Sequence, residues 1–398
     1  MLKVGIVGAG IGGLSAGLML SSIGCRVTIF EKLPQNSSSG LGIQISANGI
    51  RALSEFGLEH KIGKIGDYPD SIDLFNGSTG KKVTNIPLGN TAQELYKAGF
   101  YQFHRGDLIS LLMDENIRLG GNIIFKSPVL DIKQDLNGVT VITNESSFYF
   151  DFLVAADGIN SVVRNLLFEK NLTTFLNQVA YRAVVPASQL PKVFSSGKTQ
   201  IFFGSGKHVV SYPIRKGSLV NFVFCTEFNS FCKESWDIIV NPSEVRGKFS
   251  EFLTLKEVFK KLNNVKKWGL FEHVYLNNWY KKRVVLLGDA CHPMLPYLAQ
   301  GATQAIEDSL ELCRRIKISF NHGDLELELK KYSNNRSSRV KKIRQASRLN
   351  AKLFHLKNPL LIFIFHFVLK ITGLIHPKFL LKRFSWIYAG GPAETNKP

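Results

Sequence analysis

Apolar residues in this chain gather into short runs that end at glycines, and the opening run is the clearest. Leu2 to Val7 is apolar and β-branched, with little alternation, the pattern of a strand covered on both faces. It stops at Gly8-Ala9-Gly10-Ile11-Gly12-Gly13, after which a helical pattern has Leu14, Leu18 and Ile23 among its core positions. A second run, Arg26 to Phe30, ends at Glu31. Strand, glycine turn, helix, strand and acid, in that order, describe a dinucleotide-binding βαβ unit. Gly8 allows the tight turn, Gly10 lets a pyrophosphate approach the backbone, and Gly13 lets helix and strand pack closely. The first helical N–H groups suit a diphosphate, and Glu31 is placed to accept hydrogen bonds from an adenosine ribose. The turn alone does not separate FAD from NAD(P).

The pattern continues in blocks. Ser37 to Gly40 reads as a loop, and Gly42 to Leu53 as an extended segment entering a helix. Ile72–Phe75 and Lys82–Thr84 read as strands around Asn76-Gly77. A helix is predicted from His104-Arg105-Gly106-Asp107 to about Leu119, with Asp107 favourable at its start. Strands follow at Ile123–Phe125, Val129–Gln134 and Val139–Thr143, then an apolar strand from Phe152 that ends in Asp157-Gly158. Residues from about 175 to 275 carry β-branched and aromatic runs and read as a second, largely antiparallel sheet. Arg283 to Leu287 returns to a buried strand, and a helix is predicted from about Ala302 to Ser319. Pro359 to Ile375 is very apolar but at the short edge for crossing a bilayer, so a buried or surface-docking helix is expected.

The composition is globular, at 44% hydrophobic and 20% charged, and disorder is expected only at Ala393 to Pro398. The formal charge of +19 favours anionic partners. Ten basic residues and no acid lie between Lys330 and Lys357; a solvated helix face is the expected reading. No nucleic-acid module is present, so nucleic acid is not an expected partner. Five scattered cysteines without a C-x-x-C pair suggest neither disulfides nor zinc, and no metal site is expected; a reducing cytoplasm fits. The apolar start lacks a basic leader and a cleavage site, so it is not read as a signal peptide.

Three segments in register carry a resemblance. They are the glycine turn with Glu31, the Asp157-Gly158 segment, and Leu287-Gly288-Asp289-Ala290-Cys291-His292-Pro293 followed by Gln300-Gly301-Ala302 and Ile306-Glu307-Asp308. Together they resemble the single-component FAD-dependent aromatic hydroxylases, and the third segment is most similar to salicylate hydroxylase, 3-hydroxybenzoate 6-hydroxylase and 6-hydroxynicotinate 3-monooxygenase. The resemblance implies an α/β fold: a Rossmann-like FAD-binding domain with a parallel sheet, an interleaved, mainly antiparallel substrate domain, and C-terminal helices. The corresponding segments are 1–67, 104–174 and 280–335 for FAD, 68–103 and 175–279 for substrate, and a helical region at 336–398. It implies cofactor contacts from Gly8, Gly10, Gly13, Glu31, Lys32, Arg105, Asp157, Gly158, Gly288, Asp289, Gly301 and Ala302. Substrate contacts fall to Gln44, His208, Tyr212, Pro296 and Gln300. Gln44 stands where a hydroxynicotinate enzyme of this kind carries histidine, which counts against that substrate. Cys291 is read as packing, since no base is placed for it.

The implied reaction is hydroxylation of a small aromatic ring with tightly bound FAD, NADH or NADPH as transient co-substrate, and O2, through a flavin C4a-hydroperoxide. A neutral phenol is a poor nucleophile, so a base must take its proton. His208 with Tyr212 is the first candidate pair, four positions apart on one strand face; His292 is the second candidate base. Other readings stay open: a membrane-surface hydroxylase of a prenylated ring in ubiquinone biosynthesis, an isoprenoid epoxidase that needs no phenol base, and a non-catalytic FAD-binding module. Peripheral membrane contact through 336–376 and a homodimer are further expectations.

Overall fold

The computed structural model describes residues 1–35, 37, 40–168, 173–232 and 238–391. Ser38, Ser39 and the 393–398 tail, read above as loop and disorder, lie outside the described residues. The opening runs pair in parallel, Lys3 opposite Arg26 and Val7 opposite Phe30. Phe152–Ala155 and Val284–Leu286 extend the sheet on one side and Asn122–Ile124 on the other, with Tyr280–Lys281 as an antiparallel edge. Its central strands carry Val4, Ile6, Val154 and Val285, all without exposed surface, which is why these runs do not alternate.

The second sheet has eight strands. In spatial order they are Ile238–Val240, Val265–His273, Thr173–Pro186, Leu219–Glu227, Lys207–Ile214, Thr199–Gly204, Ser71–Asn76 and Lys82–Pro87. All neighbours are antiparallel except Thr199–Gly204 with Ser71–Asn76. Alternation sorts its two faces. Tyr181, Phe224, Val209 and Phe202 align across four strands and pack with Phe249, Phe252 and Phe259 in one core cluster. One residue along, Arg182, Val223, Val210 and Ile201 align on the opposite face, toward the FAD-type unit.

Two departures from the pattern reading have local causes. The 175–275 region contains helices at Pro242–Lys248 and Lys256–Lys261. Asn241 caps the first, accepting from the Ser243 amide at 2.9 Å, with proline in the first turn. The basic run is also not simply a solvated face. It lies in a thirty-residue helix, Leu325–Phe354, in which Arg336 and Arg344 are buried. Arg339 and Arg348 bind Glu307 and Glu272. Sequence showed the charges but not the acids that fold brings against them.

Candidate active site

The glycine turn has two kinds of glycine. Gly8 adopts φ +101, and a Cβ on Gly13 would run into the Gly8 carbonyl, so both are required by the turn itself. A Cβ on Gly10 would meet nothing within 4 Å. Gly10 therefore faces open space, on the side where the helix Ile11–Ser22 presents its first amides. Glu31 arches over this turn, accepting from the amides of Ala9 and Leu33, each at 2.9 Å. A carboxylate has about four acceptor positions, so these bonds leave capacity for ribose hydroxyls. Lys32 is exposed beside it.

Across the crevice, Gly288 turns at φ +64 and donates its amide to Asp308 at 3.0 Å. The turn leaves the Asp289 side chain accessible although protein surrounds it, as for a group lining a deep cleft. Those surroundings raise its pKa, while His292 and Arg105 oppose the rise. Arg105 is lowered by burial and by the Arg182 charge, and Asp289 and Glu31 pull it back, so it stands within electrostatic reach of both ends of the crevice. Gly301 also faces open space, at the start of the helix Gly301–His322. Asp157 accepts from the Val163 amide at 3.2 Å and keeps its other oxygen buried without a partner among the described residues. Gly158, at φ +79, is open above. An elongated anionic dinucleotide fits this arrangement: open backbone at Gly10 and Gly301, a cation between them, and acids at its ends.

Beside it is a cavity of about 170 Å³. Gln44, His208 and Pro296 line it, with Tyr101, Gln102 and Tyr297; the wall at Pro296–Ala299 leads directly into Gly301. Leu380, Leu381, Phe384 and Tyr388 of the C-terminal region close another side. That region is tied down by hydrogen bonds from Tyr96 to the Leu381 carbonyl (3.1 Å) and from Arg51 to the Tyr388 carbonyl (3.1 Å). Tyr212 does not join the lining. It is buried against Gly42 and beside Arg182, whose guanidinium donates to the Gly42 carbonyl. Gln300 is also behind the wall, bonded to Ser46 (2.7 Å), Asn48 (3.3 Å) and Gln304 (2.8 Å). No Lys or Arg is among the lining residues.

His208 is the histidine among the lining residues, and its partner lies far away in sequence. Its Nδ1 lies 3.0 Å from Nε2 of His355, a residue 147 positions away. His355 Nδ1 lies 3.4 Å from the Gln178 amide nitrogen, and Tyr297 donates to the Gln178 amide oxygen at 2.6 Å. In that amide orientation His355 donates to His208; with the Gln178 amide turned over, His355 donates to its oxygen, accepts from His208 Nδ1, and leaves a lone pair on His208 Nε2. Burial, then the neighbouring His355, lowers the His208 pKa well below 6.5, and burial brings His355 to about 4. His292 is placed otherwise: it stacks on Trp279 and binds Asp308 at 2.5 Å, outside the cavity lining. Cys291, His292 and Asp308 could converge on one ion. Asp308, however, already accepts from the Gly288 amide, His292 and Arg336, which engage both of its oxygens.

These histidines set an acid limit. His273, bonded to the Ile159 carbonyl at 3.0 Å, is also brought by burial to about 4. The unfolded chain takes up these protons near pH 6.5; the folded chain resists until about 4. Stability is expected to be flat above 6.5 and to fall as pH drops through that window, read as a declining urea midpoint. An unchanged midpoint across the window would show that these rings are not held neutral.

Residues 1–347 match the FAD binding domain family. The chain is 32% identical to 3-hydroxybenzoate 6-hydroxylase 1 of Aquipseudomonas alcaligenes, over 88% of this chain and 89% of that one. It is 31% identical to 6-hydroxynicotinate 3-monooxygenase of Pseudomonas fluorescens, over 88% and 91%. Among solved structures it resembles Klebsiella pneumoniae HpxO complexed with FAD and uric acid, with a TM-score of 0.86 at 22% identity over 98% and 97% of the two chains. A salicylate hydroxylase substrate complex superposes with a TM-score of 0.80 at 23% identity, over 98% and 96%. The chain belongs to the FAD binding domain family, and within it to the FAD-dependent aromatic hydroxylases. It is a monooxygenase that uses FAD, with NAD(P)H as co-substrate. The prenylated-ring, epoxidase and non-catalytic readings lose their support.

Proposed function

We propose that this enzyme hydroxylates a small, single-ring phenol, with His208 as the base that accepts the phenolic proton. The carrying observation is an imidazole in the wall of a cavity of about 170 Å³, with a second imidazole 3.0 Å behind it. An engineered cavity of about 150 Å³ holds one benzene ring, so the size suits one ring with small substituents. Gln44, Gln102 and Tyr101 in the lining would serve the ring's polar substituents.

FAD, when bound, supplies electrons taken from NAD(P)H and an activated oxygen. Gly8, Gly10 and Gly13 with the helix amides would hold its diphosphate. Glu31 and Lys32 would meet the adenosine end. Arg105, Asp157, Gly158, Gly288, Asp289, Gly301 and Ala302 would line its remaining length. The apolar walls exclude water, and His208 draws the phenol proton onto Nε2, which enriches the ring in electrons. His355 acts as a positioning residue by fixing the proton on the far nitrogen. Tyr212 and Gln300 would support the cavity from behind. The same reading divides the chain into cofactor segments 1–67, 104–174 and 280–335, substrate segments 68–103 and 175–279, and a helical region 336–398.

His208→Ala is expected to lower product formation on the order of a hundredfold while NAD(P)H still reduces the flavin at nearly the wild-type rate. The test is stopped-flow reduction alongside product mass for a panel of phenols. Equal losses in both steps would remove the base role; no product from any phenol or hydroxy acid would overturn the substrate class. Of the two finer partner readings, the exposed face of Pro359–Ile375 favours peripheral membrane contact through 336–376 over a homodimer.

A further inference from the structure

The helix Pro359–Ile375 inverts the usual rule for a surface helix. Its seventeen residues include no buried side chain. The side toward the protein is the less apolar one. His366 lies 3.5 Å from Asn76, Phe365 packs on Phe203, and Gly373 allows close approach to Thr84. The outer side carries Leu360, Phe363, Ile364, Phe367, Ile371 and Leu374 at helical spacing, with Phe363 67% and Leu374 69% exposed. A contiguous apolar stripe of this kind marks an interaction surface. No single helix among the described residues is long and apolar enough to cross a membrane. The bent pair formed with Leu325–Phe354 breaks by 116°, and that partner helix buries Arg336 and Arg344 inside the protein.

The charge around the stripe identifies what covers it. From Lys352 to Gly391 the chain has no Asp or Glu. Its basic residues there are Lys352, Lys357, Lys370, Lys378, Lys382 and Arg383, all exposed; Lys357 and Lys378 pair with Glu227 and Glu94 from elsewhere in the fold, which leaves the rim net basic. A second copy would set this basic rim against an identical rim on a body of formal charge +19. An anionic lipid surface satisfies both features: acyl chains cover the stripe, and headgroups neutralise the rim. We infer that Pro359–Ile375 lies in the plane of an anionic bilayer surface, its outer face in the acyl boundary and its flanking lysines among the headgroups. Docking of this kind sharpens the membrane contact just proposed. It is independent of the ring chemistry, so turnover and vesicle binding fail separately.

The test is sedimentation of the full-length, FAD-loaded protein with vesicles of equal parts phosphatidylglycerol and phosphatidylcholine, against pure phosphatidylcholine. Binding is expected to the anionic vesicles and to weaken with salt. Phe363→Asp with Phe367→Asp should abolish it while flavin content and turnover of a soluble phenol stay unchanged. Lys370→Gln with Lys382→Gln, which leaves the stripe intact, should weaken it about thirtyfold. No binding to anionic vesicles, or equal binding to both compositions, would overturn the inference. So would a dimer in sedimentation velocity that the Phe363→Asp, Phe367→Asp chain no longer forms.

Discussion

Gly10→Val is expected to purify as a folded, colourless protein. The argument rests on the difference between neighbouring glycines. A side chain at Gly13 collides with the Gly8 carbonyl and would distort the turn itself, whereas one at Gly10 meets no protein atom within 4 Å. Valine at Gly10 thus leaves the chain intact and occupies the space a diphosphate needs. Forcing extra atoms into a packed contact costs about 1–3 kcal/mol, up to about a hundredfold in affinity, and the close approach to the first helical amides is lost as well. Flavin absorbance per chain, with circular dichroism as the folding control, measures this. A yellow Gly10→Val protein with normal FAD content would remove the assignment of the turn.

Arg336→Met is expected to destabilise the fold by about 3–5 kcal/mol. Arg336 has no exposed surface and joins Asp308 at 2.7 Å and Glu307 at 2.8 Å. Burial alone would raise the Asp308 carboxyl, but His292 and Arg336 hold it at about 2. Methionine fills similar volume yet leaves two buried carboxylates short of a cation. The Asp308 contribution is full above its ordinary value of 3.8 and is lost only as pH falls through about 2, below the window in which the buried histidines act. Removing the exposed Lys260–Glu257 pair by Lys260→Ala should cost under about 1 kcal/mol. Urea denaturation compares the two; equal small losses would show that the buried network contributes no more than a surface pair.

The glycine turn and its acid were legible in sequence because they are local. Gly8, Gly10, Gly13 and Glu31 lie within one βαβ unit, and their spacing follows from the geometry of a single turn. The substrate half is long-range. His208 and Tyr212 share a strand face, but whether a side chain meets the cavity depends on what packs above it, here Arg182 and Gly42 over Tyr212. His355 carried no signal, since nothing in a helical run marks the one histidine that will face a strand 147 residues away. Likewise Arg336 reads as one charge among ten until Glu307 and Asp308 are brought against it.

Much of the cavity's outer side is built from Leu380, Leu381, Phe384 and Tyr388, beyond the last residue matched to the FAD binding domain family. On the proposed assignment, part of what chooses the ring would be written outside the stretch that grips the coenzyme. Drift in the tail can retune which compounds are accepted without disturbing the redox machinery, and an enzyme shortened at its end would keep its colour while losing its discrimination.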